Sequence, residues 1–266
     1  MKQSKETILK RQQQILNAVS QNTIIQVSDI SRLLGVSEIT IRRDLDYLEK
    51  QGNLERFHGG ARLLEAESEE IPTFENKGES FVSQKKAIAR VIADMIPPDI
   101  TVFLNSGSTT LEIINRIKDR PIRIVTNNAL AANVVNNGQA ELICTGGVYN
   151  DKTCSYTGDL ATLLIRKIYA DYCILGVNGI SSKEGITTYA YQETMLNELM
   201  VKRCKGMCIV AADGSKIGRS FHFTSTGLEN INVLVTDSSA NADELANIQE
   251  QGIKVICADQ SDSTNL

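Results

Sequence analysis

The feature that most restricts the fold is the alternation, from residue 101 to residue 257, of short apolar runs with amphipathic helical segments. Apolar runs bounded by polar turns indicate strands, and apolar residues spaced three to four apart indicate helices. Strands that are separated by helices pair in parallel, because each helix carries the chain back across the sheet. The sequence therefore predicts an α/β domain with a mostly parallel sheet.

The predicted strands span residues 101–104, 122–126, 141–144, 172–177, 207–211, 232–235 and 254–257. The predicted helices span residues 84–95, 110–117, 129–135, 160–168, 193–204 and 243–251. Pro97 and Pro98 end the first of these helices, since proline cannot continue an α-helix.

Polar residues follow one predicted strand at the point where a helix opens. Backbone N–H groups, the helix dipole and four hydroxyl groups converge there, which favours binding of a phosphate. The loop is not a P-loop, because it lacks the lysine and the longer spacing of that motif. A plain Gly-Ser helix cap is the alternative interpretation. The residues concerned are Asn105, Ser106, Gly107, Ser108, Thr109 and Thr110.

Other strand ends carry further candidate binding residues, and ligands of parallel sheets lie beyond the carboxyl ends of the strands. Asn127 and Gly147 follow two of the strands. Asp213 and Lys216 follow another and form a compact set of acceptor and donor groups for sugar hydroxyls and a phosphate. An Asx-turn with a solvated lysine is the structural alternative for this last pair.

The charge balance changes sign along the chain. Residues 1–64 hold ten Lys or Arg against seven Asp or Glu, a charge of +3, and the remaining residues hold eighteen against twenty-five, a charge of −7. The first part therefore attracts polyanions and the second repels them. A carboxylate-rich stretch without apolar periodicity, ending at Pro72, separates the two. We expect domains at 1–64 and 75–266, joined by a linker at 65–74, with a solvated loop inside one domain as the alternative.

The start of the chain predicts two short helices. Apolar residues at intervals of three to four indicate the first helix over residues 8–19. Residues 24–27 indicate a strand or an extended turn. Ser28 follows as the expected N-cap of the second helix, which ends near Leu34.

A three-residue turn and a third helix follow. Gly35 suits the backbone at the end of the second helix, and Ser37 is the expected N-cap of a helix from Glu38 to about Lys50. Two helices joined by such a turn have the spacing of a DNA-binding helix-turn-helix. Residues 54–63 predict two short strands around a Gly-Gly turn, which would form a wing.

The third helix has a core side and an outer side. Ile41, Leu45 and Leu48 recur at i, i+4 and i+7 and are expected in the core. Guanidinium, hydroxyl and apolar groups on the opposite side can contact phosphates, guanine edges and thymine methyls in a major groove. Asp44 and Asp46 weaken this electrostatic attraction, so we expect them to orient the arginines or the adjoining helices. The expected DNA-facing residues are Ser37, Ile39, Thr40, Arg42, Arg43 and Tyr47.

Two segments carry a resemblance to a known family. The run Ser-Glu-Ile-Thr-Ile-Arg-Arg-Asp-Leu at 37–45, followed by Leu48-Glu49 and the His-Gly-Gly-Ala sequence at 58–61, resembles the signature of the deoxyribose-operon-repressor (DeoR) family of bacterial transcription regulators. The resemblance implies a winged helix-turn-helix whose third helix enters the major groove. It also implies that Ser37, Thr40, Arg42 and Arg43 contact DNA.

The motifs of the longer part are similar to those of the same family in the same order. The resemblance implies a sensor domain that resembles ribose-5-phosphate isomerase and binds a phosphorylated sugar or a related metabolite. Residues 106–110 would then hold the phosphate, while Asn178, Glu193, Asp213 and Lys216 would line the rest of the pocket. Asn105 and Asn178 stand where many relatives carry Asp, which would make the pocket less negative and favour an effector with a second acid group.

The expected function is DNA-binding transcriptional regulation, most often repression in this family, controlled by a phosphorylated sugar. The alternative is a sugar-phosphate isomerase that uses Asp213, Glu193 and Lys216 as acid-base groups, but that reading leaves the basic N-terminal part without a role. A DNA-architectural protein is disfavoured by the acidic second part. One recognition helix covers few base pairs, so we expect a homo-oligomer, either a dimer or a tetramer.

Neither a cofactor nor a metal is expected. Cys204 and Cys208 stand at helical spacing and lack the pattern of a zinc or redox site, and we expect all six cysteines to be reduced and buried. No apolar stretch approaches the length that crosses a bilayer, and the first residues are polar, so neither a membrane span nor a signal peptide is expected. A cytoplasmic protein is the expectation.

Overall fold

The structure of the protein, a computed structural model, describes residues 11–12, 14–15, 18, 25–50, 54–57, 59–62, 74 and 80–258. The chain divides into two compact units, Met1–Glu70 and Ile71–Leu266. Among the described residues, apolar side chains form one buried cluster in the first unit and two in the second.

The first unit combines helices with a small antiparallel sheet. Its elements are strand β1 (Ile25–Gln26), helix α1 (Val27–Leu34), helix α2 (Glu38–Lys50), strand β2 (Glu55–Phe57) and strand β3 (Gly60–Arg62). The sheet order is β1-β3-β2, with antiparallel pairing throughout. Helical residues before β1, among them Ile15 and Ala18, pack into the same core as α1 and α2. The predicted third helix and the wing hairpin are confirmed.

The prediction that Ser28 caps the second predicted helix, which is helix α1 of the structure, is wrong. Helix α1 begins at Val27, so Ser28 lies inside it, and Gln26 precedes the helix without a side-chain cap. The backbone N–H of Val27 donates to the carbonyl of Gly59 at 2.8 Å, so the wing turn satisfies a group that a cap would otherwise serve. Part of the predicted first helix, and the predicted linker apart from Phe74, lie outside the described residues.

The second unit is built on seven parallel strands in the order β15-β14-β12-β9-β4-β5-β6. These strands are β4 (Thr101–Leu104), β5 (Arg123–Thr126), β6 (Glu141–Cys144), β9 (Ala170–Gly176), β12 (Cys204–Ala211), β14 (Val233–Asp237) and β15 (Lys254–Ala258). The mostly parallel sheet is confirmed.

Helices cover both faces of this sheet. The helices are α3 (Val82–Met95), α4 (Ser108–Ile117), α5 (Ala131–Val135), α6 (Asp159–Arg166), α7 (Tyr191–Arg203) and α8 (Ala242–Glu250). Helices α3, α4 and α5 contribute to one apolar cluster, and α6, α7 and α8 contribute to the other. Six predicted helices are thus confirmed, with ends displaced by one to a few residues.

Two small antiparallel sheets were not predicted. Strands β7 (Val148–Asn150) and β8 (Ser155–Thr157) form a hairpin, and β10 (Gly179–Ser181), β11 (Gly185–Thr188) and β13 (Phe223–Thr226) form a three-stranded sheet. All five strands are only three or four residues long. Gly, Ser, Thr or Asn interrupts the apolar residues in each of them, so none is a continuous apolar run like the buried parallel strands, and the sequence did not indicate them.

The cysteine predictions need two corrections. Cys204 and Cys208 lie on strand β12, so their spacing is not helical. The expectation that all six are buried holds for Cys173 and Cys208, whereas Cys257 is exposed, and the half-buried ones are Cys144, Cys154 and Cys204. Strand β15, which carries Cys257, is at the edge of the sheet, where neighbouring elements cover its side chains less completely.

Candidate DNA-binding face and effector site

Helix α2 begins at the turn that the sequence predicted. Gly35 has φ 63°, a left-handed conformation, and its N–H donates to the carbonyl of Ser31. Ser37 acts as the N-cap, since its Oγ accepts from the N–H of Thr40 at 3.4 Å and lies 3.0 Å from Thr40 Oγ1. The turn fixes the angle between α1 and α2, and the predicted Gly35 and Ser37 caps are confirmed.

The two sides of α2 differ in burial as the sequence predicted. Ile41, Leu45 and Leu48 are buried in the core of the first unit. The residues expected to face DNA are exposed, except Thr40, which is half-buried. The apolar side chain of Ile39 is 67% exposed, because it lies on the side of α2 that faces away from the core. Such a side chain is available for contact with a groove.

The two arginines on the outer side of α2 are in different electrostatic surroundings. Arg42 Nη2 pairs with Glu38 Oε2 at 3.0 Å, one helical turn earlier. Arg43 points away from the core and forms no ion pair within the described part of the chain. A phosphate or a guanine can therefore engage Arg43 without first breaking an existing ion pair, whereas Arg42 must leave Glu38.

Asp44 holds α2 against the helical residues near the start of the described chain. Both partners are buried, with Arg11 Nε at 2.5 Å from Asp44 Oδ2 and Arg11 Nη2 at 3.2 Å from Asp44 Oδ1. Gln12 Nε2 adds a contact to Oδ1 at 3.5 Å. The expectation that Asp44 orients an adjoining helix is confirmed, and the carboxylate is not on the outer side of α2.

The wing is attached to α2 by contacts that the sequence did not indicate. Asp46 forms an ion pair with Arg56 of β2, and Glu49 Oε1 accepts from the backbone N–H of Arg56 at 3.0 Å. The wing turn includes Gly59 with φ 100°, a conformation that favours glycine. The two acidic residues of α2 thus position the hairpin beside the helix.

In the second unit, the strand order reverses between β4 and β9. Strands β5 and β6 extend from β4 on one side, while β9, β12, β14 and β15 extend on the other. Ligands of open parallel sheets bind in the crevice at such a switch point, outside the carboxyl ends of the strands. The loops after β4 and β9 meet there, because Asn105 Oδ1 accepts from the N–H of Gly176 and Asn105 Nδ2 donates to its carbonyl, both at 2.8 Å.

The loop from Asn105 to Thr110 is held by its own hydroxyl groups and by neighbouring loops. Thr110 Oγ1 donates to the carbonyls of Asn105 at 2.7 Å and Gly107 at 3.0 Å. Asn128 Nδ2 also donates to the Gly107 carbonyl, at 3.3 Å. Ser106 Oγ lies 3.3 Å from the Thr153 carbonyl in the turn of the β7–β8 hairpin. These contacts fix the loop at the start of α4, where backbone N–H groups favour an anion.

Asn127 and Gly147 follow the next two strands of the same sheet edge. Asn127 Nδ2 donates to the carbonyl of Tyr156 at 3.0 Å, and its buried Oδ1 has no hydrogen-bond partner within the described part of the chain. Gly147 has φ 117°, and a Cβ placed on it would lie 2.4 Å from the carbonyl of Thr157. Gly147 therefore allows the hairpin to pack closely against the end of β6.

A second group of predicted residues lies after β9 and at the start of α7. Asn178 Oδ1 accepts from Thr188 Oγ1 at 2.7 Å. Burial is the main cause that raises the pKa of Tyr189, the charge of Glu193 raises it further, and the polar side chain of Asn178 opposes both. Asn178 and Glu193 thus come together around Tyr189, a residue that the sequence analysis did not select. No periodic pattern marks it, because it lies in the short connection between β11 and α7.

Asp213 and Lys216 form a turn after β12. Asp213 Oδ1 accepts from the N–H and the hydroxyl group of Ser215, which is the Asx-turn that the sequence analysis gave as the structural alternative. Lys216 has no ion pair among the residues described in this unit. The chain that follows this turn reaches the start of strand β10, since the carbonyl oxygen of Arg219 lies 2.4 Å from where a Cβ on Gly179 would be.

The predicted effector residues therefore all belong to loops or helix starts at the carboxyl edge of the sheet, but their side chains have different roles. Asn105, Thr110 and Asp213 direct their side-chain hydrogen bonds to other protein groups. The Lys216 ammonium group, the Thr109 hydroxyl group and the Oδ1 atom of Asn127 have no such bond in the described chain. The described residues contain no cluster of three His, Cys, Asp or Glu side chains that could hold a metal.

Family comparisons match both units. Residues 11–67 match the family described as DeoR-like helix-turn-helix domain, and residues 80–238 match the DeoR C terminal sensor domain. The chain is 32% identical over 250 residues to a putative aga operon transcriptional repressor of Escherichia coli O157:H7, covering 93% of each chain. It is 31% identical to the HTH-type transcriptional regulator GolR of Listeria innocua, covering 94% of this chain and 98% of that one.

A further relative is the lactose phosphotransferase system repressor of Streptococcus mutans, 26% identical over 86% of this chain and 91% of that one. Among solved structures, ribose 5-phosphate isomerase A from Methanocaldococcus jannaschii matches 50% of this chain and 52% of that one, with 11% identity and a TM-score of 0.37. The similarity to that structure is too slight to support any conclusion about function. None of the described helices is long and apolar enough to cross a membrane.

Proposed function

The chain belongs to the DeoR family of transcriptional regulators, and we propose that it represses a sugar or polyol catabolic operon under the control of a phosphorylated sugar. Its relatives are regulators and not enzymes, so the isomerase alternative is dropped. In this proposal residues 1–64 bind DNA, residues 65–74 connect the two domains and residues 75–266 bind the effector. The protein acts in the cytoplasm as a homo-oligomer on operator DNA.

The outer side of α2 supports the DNA-binding half of the proposal. Ile39, Arg42, Arg43 and Tyr47 are exposed there, and Ser37 and Thr40 lie at the first turn. The N-terminal part of a recognition helix is the part that contacts base edges in helix-turn-helix proteins. Arg43 is the strongest candidate for a base contact, because it opposes the core and pairs with no carboxylate among the residues that the structure describes.

The observation that carries the effector half is the meeting of the β4 and β9 loops at the switch point of the sheet. Helix α4 starts at Ser108 in this crevice, and its first backbone N–H groups can bind the phosphate. Lys216, from the loop after β12, supplies a cation that is not used in an ion pair of the described chain. Asn178, Tyr189 and Glu193 offer hydrogen-bonding groups for sugar hydroxyls.

Amides at two positions where the family resemblance implies carboxylates favour an effector with a second acid group. Asn105 and Asn178 reduce the negative charge at the switch point, so a second anion is repelled less there than beside two carboxylates. The name of the lactose phosphotransferase system repressor is consistent with a regulator of sugar use. A neutral, unphosphorylated polyol as the tightest binder would contradict this part of the proposal.

The proposal is tested with fluorescence anisotropy of labelled DNA taken from upstream of the protein's own gene. Sugar phosphates, bisphosphates and their unphosphorylated parents are titrated into the complex, and a phosphorylated member should change DNA affinity by about five- to 150-fold. Lys216→Ala and Ser108→Asp should reduce this response and leave DNA binding intact. Lys254→Ala, at the opposite edge of the sheet, is the matched control.

Arg43→Ala tests the DNA half with the same assay. If Arg43 reads a base, this variant should lose about 1 to 3 kcal/mol of operator affinity and still bind the effector. Arg32→Ala on α1, which removes an exposed arginine outside α2, is the control. Unchanged operator affinity in Arg43→Ala would remove Arg43 from the DNA-binding face, and equal responses in the Lys216 and Ser108 variants would contradict the effector site.

A further inference from the structure

Helices α6 and α7 pack side by side and expose large apolar side chains on their outer surface. Leu160 and Leu163 of α6 are 67% and 54% exposed, and Tyr191 and Met195 of α7 are 49% and 51% exposed. Each pair is spaced by three or four residues, so its members are neighbours on one side of their helix. Single exposed apolar residues are ordinary, but a contiguous group marks an interaction surface.

The two helices place these apolar residues at the same end. Each helix leads into one of two neighbouring parallel strands, β9 and β12, so α6 and α7 run in the same direction. Val148 of the β7 strand extends the apolar group, since its Cγ2 lies 3.6 Å from where a Cβ on Gly158 would be, directly before α6. Val148 is itself exposed.

Helix α6 is polar at its two ends and apolar between them. Asp159 lies in its first turn, and Arg166 and Lys167 lie at its last residue and its C-cap. All three are exposed, and none of them has an ion pair in the described part of the chain. Leu163 is the midpoint of the segment from Asp159 to Lys167, which spans about 12 Å along the axis.

We propose that the outer face of α6 binds the same face of a second copy of this chain, with the two helices antiparallel and a two-fold axis near Leu163. A symmetric interface requires a surface that is complementary to itself. In this arrangement Leu163 meets its counterpart, Leu160 packs on the aliphatic part of Arg166, and Asp159 lies opposite Lys167. A parallel arrangement would instead bring like charges together.

The charge pattern is the reason to choose a second copy as the occupant. An acidic end, an apolar middle and a basic end in this order are complementary to the same order reversed, and the two opposite-charge contacts then form at once. This inference rests on the proposed function in one respect, since an operator with two half-sites requires two recognition helices. It adds the surface through which the two copies associate.

Sedimentation velocity of the full-length chain tests this interface. Leu160→Asp should dissociate the assembly by at least one step, from dimer to monomer or from tetramer to dimer. The substitution puts an acidic residue in the first turn of α6, where the helix dipole favours it, so the helix should persist. Leu33→Asp is the matched control, because Leu33 is a leucine on α1 with 66% exposure, and it should leave the assembly unchanged.

A charge exchange adds a test of the antiparallel arrangement. Asp159→Lys and Lys167→Asp should each weaken self-association by about two- to tenfold, and the double variant should restore it. If the apolar surfaces associated without a fixed orientation, the double variant would not recover the self-association that the single variants lose. At low salt the double variant should associate more tightly than either single variant. At high salt, where screening weakens the ion pairs, this difference should disappear.

The possible results separate this inference from the proposed function. A wild-type oligomer that Leu160→Asp and Leu163→Asp leave intact would overturn the α6 interface and leave the proposed oligomeric regulator standing. A wild-type chain that is monomeric at every concentration tested, on and off DNA, would overturn both. If Leu160→Asp dissociates the assembly but the double charge variant does not recover association, the antiparallel pairing of the two α6 helices is wrong.

Discussion

The side-chain amide of Asn105 forms two hydrogen bonds with the backbone of Gly176, accepting from the N–H and donating to the carbonyl, each at 2.8 Å. The same Nδ2 also lies 3.2 Å from Asn197 Oδ1 of helix α7. This one side chain, 4% exposed, connects the loops after β4 and β9 to the helix layer. A carboxylate at this position could accept from the N–H, but its second oxygen would face two acceptors.

Replacing Asn105 by Asp should therefore destabilise the second unit. Two acceptors, the Gly176 carbonyl and Asn197 Oδ1, would lose their donor and face a buried charge, at a cost of about 1 to 3 kcal/mol in the free energy of unfolding. The loss should shrink in acid, because a protonated carboxyl group can donate one hydrogen bond as the amide does. Urea unfolding of both proteins at neutral and acidic pH measures the difference.

The same change on the surface separates this effect from a general response to a new charge. Asn133→Asp alters an exposed residue of α5 and should leave the free energy of unfolding within about 0.5 kcal/mol of the wild type. Equal stability of Asn105→Asp and the wild type would mean that Asn197 turns its amide to donate, or that the network relaxes at little cost.

Gly147 and its neighbour Gly146 provide a matched pair for the effector site. Gly147→Ala puts a Cβ 2.4 Å from the Thr157 carbonyl at φ 117°, so strand β8 must move, whereas a Cβ on Gly146 at φ 61° meets nothing within 4 Å. Gly146→Ala should cost only about 1 to 2 kcal/mol of backbone strain. Gly147→Ala should lower the melting temperature more and weaken the effector response, while operator binding without effector persists. A response equal to that of Gly146→Ala would show that the hairpin position does not matter.

The buried pair of Asp44 and Arg11 should control the stability of the DNA-binding unit. Asp44→Ala leaves the Arg11 guanidinium buried without its carboxylate, at a cost of about 3 to 5 kcal/mol. Asp46→Ala removes a half-exposed partner of Arg56 and should cost at most about 1 kcal/mol. Hydrogen exchange of α2 in the full-length chain measures both. The double change Arg11→Met, Asp44→Leu should recover most of the loss, and faster exchange in it than in Asp44→Ala would contradict this account.

The sequence predicts the main sheet well for a physical reason. Buried parallel strands are continuous apolar runs bounded by polar turns, so β4 and β6 were predicted with the bounds that the structure shows. Helix starts were less certain, as at α4, which begins two residues earlier than predicted because it is capped from Gly107 without a side-chain signal. The hairpin β7–β8 has exposed apolar residues, and only backbone pairing over three residues per strand identifies it.

The candidate site divides along similar lines. The rule that ligands bind beyond the carboxyl ends of parallel strands selects residues that do lie together at that edge of the sheet. It does not tell which way a side chain points, and Asn105 and Asp213 prove to bind neighbouring protein groups. The sequence did not indicate Tyr189 as a site residue. Its proximity to Asn178 and Glu193 depends on the antiparallel sheet of β10, β11 and β13, which no sequence pattern indicated.

Tyr189 should make the stability of the second unit sensitive to alkaline pH. Burial first, and then the charge of Glu193, raise its pKa above the ordinary value of 10.0, so the folded state favours the neutral phenol. Stability linked to a raised pKa is fully present below the unfolded value and is lost as pH rises through the folded one. Tyr189→Phe cannot ionise, so its unfolding midpoint should fall less steeply than that of the wild type above pH about 10. Glu193→Gln should give an intermediate slope, and three equal slopes would contradict the assignment.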